Sequence, residues 1–253
     1  MKKMLFISIL GVLCASDIFA FEKSFSFSTL GYPPYISKRL LKENKSWVFD
    51  VVKAALEPQG YKVSVKIKPW KRAYEETLLG KYDGIYAAFW TKERLLHFEF
   101  SVPIGKISKG FFKRKNRDDI VFSGNLSDLK NYKIALIRGF ATTPEFDKAD
   151  YLKIHHVNNS QEGLKLLFLK RLDLMVASKE VDDYNLQLME VKYPGIREDI
   201  IFMEPAVGTK NLYMAVPKKA PNYQEKLRDL NAGLAKIMLD GTYTAIKERH
   251  GIK

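Results

Sequence analysis

The sequence predicts an α/β protein made of two similar units in tandem, with the chain crossing twice between them. Three observations lead there. Segments with a two-residue apolar alternation take turns with segments of helical spacing, as in a parallel sheet covered by helices. That succession runs through the chain twice. A last strand and two helices, over residues 210–253, are too little for a third domain and are best placed back against the first unit.

In the first unit, "SFSFSTL" (24–30) alternates hydroxyl and apolar residues and reads as a strand, which "GYPPY" (31–35) breaks with a glycine and two prolines. Val48, Phe49, Val52, Ala55 and Leu56 follow helical spacing until Pro58 and Gly60. "YKVSVKI" (61–67) alternates again, "WKRAYEETLLG" (70–80) is a short helix ending in glycine, and "GIYAAFW" after Asp83 is a buried strand. In the second unit, "KIALIRG" (133–139) is a strand, and Thr142, Thr143 and Pro144 form a helix start. "NNSQEGLKLLFLKR" (158–171) is a helix with Asn159 and Glu162 spaced as a capping box, and "LDLMVAS" (172–178) is a strand. "GFFKRKNRDD" (110–119) turns from apolar to charged and is the expected crossing. "NLYMAVPK" (211–218) is the last strand, and residues 223–251 form two helices joined near Gly241. The expected organisation is a leader at 1–20, a first lobe at 21–113, a second lobe at 114–209 and a return to the first at 210–253. Two crossings make a hinge, and the cleft lies where strand ends and helix N-termini of the two lobes face each other.

The leader reading rests on Lys2 and Lys3 before "MLFISILGVLCA", with Ala20 as the cleavage site. Export to the periplasm follows. Cys14, the single cysteine, lies inside that leader, so no disulfide is expected in the mature chain, and Leu13 before it argues against a lipid anchor. The four histidines show no metal-ligand spacing, and no metal or other cofactor is expected. The net charge of +13 is scattered rather than blocked into runs, which disfavours nucleic acid as a partner. It fits a solvated basic surface or a field that gathers anionic ligands.

Arg94 stands out because it falls in the first turn of a helix, where the dipole already offers positive charge. Either a carboxylate such as Glu93 or Glu99 answers it, or a ligand does. Several aromatic residues accompany it. Trp70 either staples its helix to the sheet or faces the cleft, and only one of Phe89 and Trp90 can point inward from a strand. Asp83 and Asp173 read as turn-fixing residues.

The motifs "GYPPY", "LLGKYDGIYAAF" before "TKER", "FEFSVPI", "LKNYKIALIRGFATT", "LLFLKRLDLMVA" and "LNAGLAKIMLDGTYTAIKERHG", in that order, resemble the extracytoplasmic solute-binding proteins of the amino-acid type, family 3. The resemblance implies a two-lobed, type II periplasmic-binding-protein-like fold with a two-strand hinge. It implies a monomer that closes over a small ligand and delivers it to an ABC permease or a membrane receptor. In such proteins the arginine of the "T-x-E-R" motif grips the ligand carboxylate, which here is Arg94. The aromatic after the first strand covers the ligand, here Tyr32 with Tyr35 as a neighbouring candidate. The helix start of the second lobe donates hydroxyl and N–H groups, here Thr142 and Thr143, in a segment stretched to Gly139-Phe140-Ala141-Thr142-Thr143. An Arg–carboxylate bond of this kind contributes roughly 1.5–3 kcal/mol.

Two departures bear on the ligand. Ala87 and Phe89 stand where polar residues usually help hold an ammonium, and Ser178 stands where an aspartate neutralises it. A buried, unpaired ammonium is costly. The resemblance implies a carboxylate-bearing or amino-acid-like ligand, and these departures favour a carboxylate or other anion with an aromatic or apolar body, set among Tyr32, Trp70, Phe89 and Trp90, over a standard α-amino acid. Alternatives on the same fold are a sensing subunit for a chemoreceptor or kinase, and a cyclohexadienyl-dehydratase-like enzyme, for which Glu180 is the one acid–base candidate.

Overall fold

The structure, a computed structural model, describes residues 23–252. The expected leader at 1–20, with Cys14, lies outside the described residues.

Strand β1 (Lys23–Thr29) pairs in parallel with β2 (Tyr61–Ile67) on one side and β3 (Gly84–Ala88) on the other. Helices α1 (Lys38–Lys42), α2 (Trp47–Leu56) and α3 (Trp70–Leu78) connect them. Helix α2 forms because Val48, Val51, Val52 and Ala55 recur at helical spacing and are all buried. The chain continues through α4 (Lys92–Leu95), β4 (Phe98–Phe100) and β5 (Gly105–Arg114). A second parallel set follows, in which β6 (Lys133–Ile137) pairs with β7 (Lys153–Val157) and β8 (Leu174–Ser178). Helices α5 (Pro144–Asp147), α6 (Ser160–Phe168), α7 (Lys179–Met189) and α8 (Ile196–Asp199) belong to this set. After β9 (Ile200–Phe202), β10 (Gly208–Pro217) leads to α9 (Tyr223–Leu239) and α10 (Thr242–Arg249). Among the described residues, no helix is long and apolar enough to cross a membrane.

The strands run in the order β2-β1-β3-β10-β5-β8-β6-β7, with β4 on β10 and β9 on β5. The two long strands at the middle are antiparallel and change partners along their length. Residues 208–212 of β10 lie on β5, whereas Tyr213–Pro217 lie on β3 and β4. Strand β5 pairs with β10 through Lys109 and with β8 from Lys109 onward, so that one residue faces Gly208 on one side and Ser178 on the other.

The side chains divide in the same way. One core gathers Phe25, Phe27, Val48, Ile85, Ile107, Leu212 and Leu234. Two smaller cores, around Phe112, Leu164 and Met175 and around Phe111, Ile134 and Leu174, lie within residues 111–203, of which Val181 joins the first core instead. Helix α9 returns to α2 at a very close approach. A Cβ on Gly233 would sit 2.0 Å from the Ala55 carbonyl oxygen, so only glycine fits there.

Two local expectations differ in detail. The segment expected as a crossing is, up to Arg114, part of a ten-residue strand. Its apolar residues do not alternate with polar ones because Phe111 and Phe112 are buried in different cores on opposite faces. At α6, Asn159 accepts from the Glu162 N–H at 2.9 Å, but the Glu162 carboxylate bonds the N–H of Asn158, one residue earlier than a capping box requires.

Candidate functional site

Thr91 caps α4, accepting the Arg94 N–H at 3.1 Å, and this turn directs the Arg94 side chain inward. Arg94 is 7% exposed. Its guanidinium donates to the Phe89 carbonyl at 2.9 Å and to the Gly139 carbonyl at 3.4 Å, and it lies over the rings of Trp70 and Tyr74. It forms no ion pair with Glu93 or Glu99; its hydrogen bonds go to neutral carbonyls. Burial pulls its pKa downward, opposed by the Tyr74 phenol and by the charges of Glu93 and Asp147. Among the described residues no carboxylate bonds this cation directly, and Glu93 and Asp147 act on it only at a distance.

Arg94 borders a pocket closed by Tyr32, Trp70, Ala87, Phe89 and the loop residues Phe140 and Ala141. The free space is about 10 Å³, room for no more than one water. Phe140 is one of its walls. Its ring meets Trp70 edge-on at 5.7 Å, and the Trp70 indole N–H donates to the neighbouring Gly139 carbonyl at 3.0 Å. Gly139 has φ +78°, a backbone conformation that favours glycine, and this lets the loop turn in against the Trp70 indole. Ala87, on the opposite wall, also has positive φ (+66°), an unfavourable conformation for a residue with a Cβ, beside a register shift between β3 and β10. Strained backbone of this kind is concentrated at functional sites. The pocket opens onto a groove of about 1330 Å³ that runs past Thr142, Thr143, Asp147 and Lys210.

The structure brings Arg94, Tyr32, Trp70 and Phe89 together; it deploys the remaining candidates differently. Phe89 points inward, and Trp90 is half exposed. Tyr35 lies behind Tyr32, packs on Trp47 at 5.4 Å and lines a separate shallow pocket. The Tyr32 and Ser178 hydroxyls are hydrogen-bonded at 2.6 Å. Thr143 uses its hydroxyl to cap Phe146. The Thr142 N–H, expected to be free for a ligand, donates to both oxygens of Asp147 at 3.0 and 3.1 Å, while the Thr142 hydroxyl is buried with no hydrogen-bond partner among the described residues. The physical reason is the lengthened loop: it spaces Gly139 from the helix start, and α5 is a single turn whose own carboxylate reaches back to the N–H.

Asp83 accepts from the Ser26 N–H and hydroxyl and pairs with Lys226, and Asp173 accepts from the Lys133 N–H and pairs with Arg117; both hold backbone in place. Both oxygens of Glu180 receive the Ser108 N–H, which occupies the acid–base candidate in a structural bond.

Two buried ionisable groups beside the pocket escaped sequence reasoning. Lys109 is fully buried, and its ammonium has no hydrogen-bond acceptor among the described residues. It lies 5.4 Å from the centre of the Phe89 ring and 5.3 Å from that of Phe140. Desolvation pushes its pKa down to about 8, with Asp182 and Asp147 opposing. Asp182, also buried, accepts from the Ser178 N–H and the Asn185 amide, and desolvation pushes its pKa up to about 6. The only sequence signal was a lysine beside the apolar run "GFF", which reads equally well as a strand edge.

Residues 28–253 match the sequence profile of the bacterial extracellular solute-binding proteins, family 3. The chain belongs to that family. No curated protein matches this family member in sequence. Its backbone is similar to that of a histidine kinase sensor domain with similarity to periplasmic binding proteins, with a TM-score of 0.75, 19% identity, and coverage of 90% of this chain and 96% of that one. It is also similar to an ancestral arginine-binding protein bound to glutamine (TM-score 0.74, 23% identity, 91% and 98% covered). The GluR0 ligand-binding core from Nostoc punctiforme in complex with L-glutamate is a third (TM-score 0.71, 17% identity, 90% and 100% covered). At these identities the likeness is one of fold, a mixed α/β arrangement of the periplasmic-binding-protein kind.

Proposed function

We propose that this family 3 member is a non-catalytic solute-binding protein of the periplasm that captures a small carboxylate-bearing ligand and delivers it to an ABC permease. In this reading residues 21–113 with 210–253 form one lobe and residues 114–209 the other, hinged where β5 and β10 change partners. Arg94 grips the carboxylate, and Tyr32, Trp70 and Phe89 enclose the ligand's body. Thr142 offers a hydroxyl that has no other partner, and Ser178 with Tyr32 fastens the closed form. Thr143 shapes the mouth. A ligand that touches both sides of the seam favours closure, because only differential contact shifts a conformational equilibrium.

The observation that carries this reading is the buried Arg94, which bonds carbonyls of both strand sets, Phe89 and Gly139, and is paired with no carboxylate among the described residues. In the family's closed arrangement that is the place for a ligand's negative charge, and a few charge-assisted bonds with one stacked ring supply the roughly 8 kcal/mol of micromolar binding.

The test is ligand-induced thermal stabilisation across amino acids, amines, dicarboxylates and aromatic acids, repeated with Arg94→Ala. The variant is expected to fold and to lose the stabilisation; undiminished binding overturns the assignment. A second reading, presentation of the closed form to a receptor or kinase, is favoured by the likeness to a histidine kinase sensor domain. A permease and an ATPase encoded beside the gene support transport, and a transmembrane receptor there supports sensing.

A further inference from the structure

Lys109 is the least explained charge in the described residues. It sits at the one position of β5 that pairs with both β8 and β10, and its ammonium is wholly shielded from solvent with three donors unused. The groups that shield it are the rings of Phe89 and Phe140, which are also walls of the Arg94 pocket. Phe89 is fixed by its strand end and by the Arg94 bond to its carbonyl. Phe140 stands on the loop between β6 and α5, held at its backbone by a single turn bond to the Ile137 carbonyl. Of these two rings, Phe140 is the partly exposed one, carried on a loop and packed at the edge of all three cores.

The two nearby carboxylates do not serve as its partners. The oxygens of Asp182 are engaged by the Ser178 N–H and the Asn185 amide, and those of Asp147 by the Thr142 N–H. Neither forms an ion pair with Lys109 or Arg94. Arg94 thus lines the small apolar space, and Lys109 lies behind two of its walls, Phe89 and Phe140.

We propose that Lys109 is a second anion-binding residue of this pocket, exposed when Phe140 withdraws, and that the ligand is a compact diacid whose two negative groups reach Arg94 and Lys109. The inference rests on the reading of Arg94 as a carboxylate grip. It also accounts for the missing ammonium partner at Ser178: a diacid without an amino group has no use for one. Phe140 then acts as a resident apolar plug, and the ligand's short carbon chain takes over its contacts with Trp70 and Phe89.

The test compares glutarate with its monomethyl ester, and phthalate with benzoate, by calorimetry on the mature chain and on Lys109→Met and Arg94→Ala. Each pair shares a carbon body and differs by one negative group. In the wild type the diacids are expected to bind at least about tenfold tighter than their monoanionic partners, the scale of one added charge-assisted bond. Lys109→Met should erase that ratio while leaving monoanion affinity within about threefold, whereas Arg94→Ala should weaken both classes. Equal binding of diacid and monoanion by the wild type overturns the proposal and leaves the Arg94 grip standing. So does an unchanged ratio in Lys109→Met. Failure of every acid to bind the wild type overturns both. The wild-type ratio decides the matter even if the methionine variant does not fold.

Discussion

The hydroxyls of Tyr32 and Ser178, 146 residues apart in sequence, meet at 2.6 Å in a fully buried hydrogen bond. Tyr32 belongs to the core built on β1 to β3, and Ser178 ends β8, so the bond ties the first parallel strand set to the second beside the Arg94 pocket.

Tyr32→Phe removes the phenol oxygen and leaves the Ser178 hydroxyl unpaired. A loss of about 1–3 kcal/mol is expected, seen as a lower Tm. On the proposed two-lobed reading the bond joins the lobes, and small-angle scattering of the variant should also show a larger radius of gyration. A lower Tm with unchanged dimensions would make the bond merely structural.

Lys109 gives a pH signature. Its folded pKa, about 8, lies below the ordinary lysine value of 10.5, so between these values the unfolded chain holds more protons than the folded one. The stability tied to this group is fully present above 10.5 and is lost as pH falls through about 8. The charged groups acting on it are Asp182 on α7, Asp147 on α5 and Lys210 on β10. Lys109→Met is therefore expected to melt several degrees above the wild type at pH 7, with the gap closing as pH rises from 8 to 10.5. A gap independent of pH would show that the ammonium is not the source.

Asp147 acts as an internal rival to an incoming anion. Its carboxylate already holds the Thr142 N–H, and its charge acts on both Arg94 and Lys109. Asp147→Asn keeps an acceptor for that N–H and removes the negative charge, so affinity for monoanionic acids should rise by about two- to tenfold at low salt, less at high salt. Titration calorimetry at two ionic strengths checks it; weaker binding in the variant would show that Asp147 supports the site.

Gly233→Val tests the packing of α9 on α2. With the Ala55 carbonyl oxygen only 2.0 Å from the position of a Cβ, the helices must part, and a loss of at least about 2 kcal/mol in denaturant unfolding is expected. A near-neutral result would mean that α9 shifts along α2 at little cost.

Much of the fold was legible because its signals are local. The alternation of "YKVSVKI", the helical stripe on Val48 to Ala55 and the glycine stops each record the environment of one element. Strand β5 was not legible, since burial of Phe111 and Phe112 on opposite faces erases the alternation that marks a strand. At the site, Arg94 was legible because a cation in a helix's first turn needs an explanation. Lys109 and Phe140 were not. Each takes its meaning from the other and from Phe89, 20 and 51 residues away from it respectively in sequence, and no local pattern carries a contact of that kind. The Thr142 N–H misled for a similar reason: its acceptor is chosen by where Asp147 lands after one turn of helix.

Strand β5 has a thermodynamic consequence beyond ligand capture. It plants Ile107 in one core, Phe111 in a second and Phe112 in a third, within six residues of continuous backbone. None of these cores can melt without stripping neighbours from a segment the others use. The molecule should accordingly unfold as one cooperative unit, giving a single calorimetric peak whose van't Hoff and total enthalpies agree.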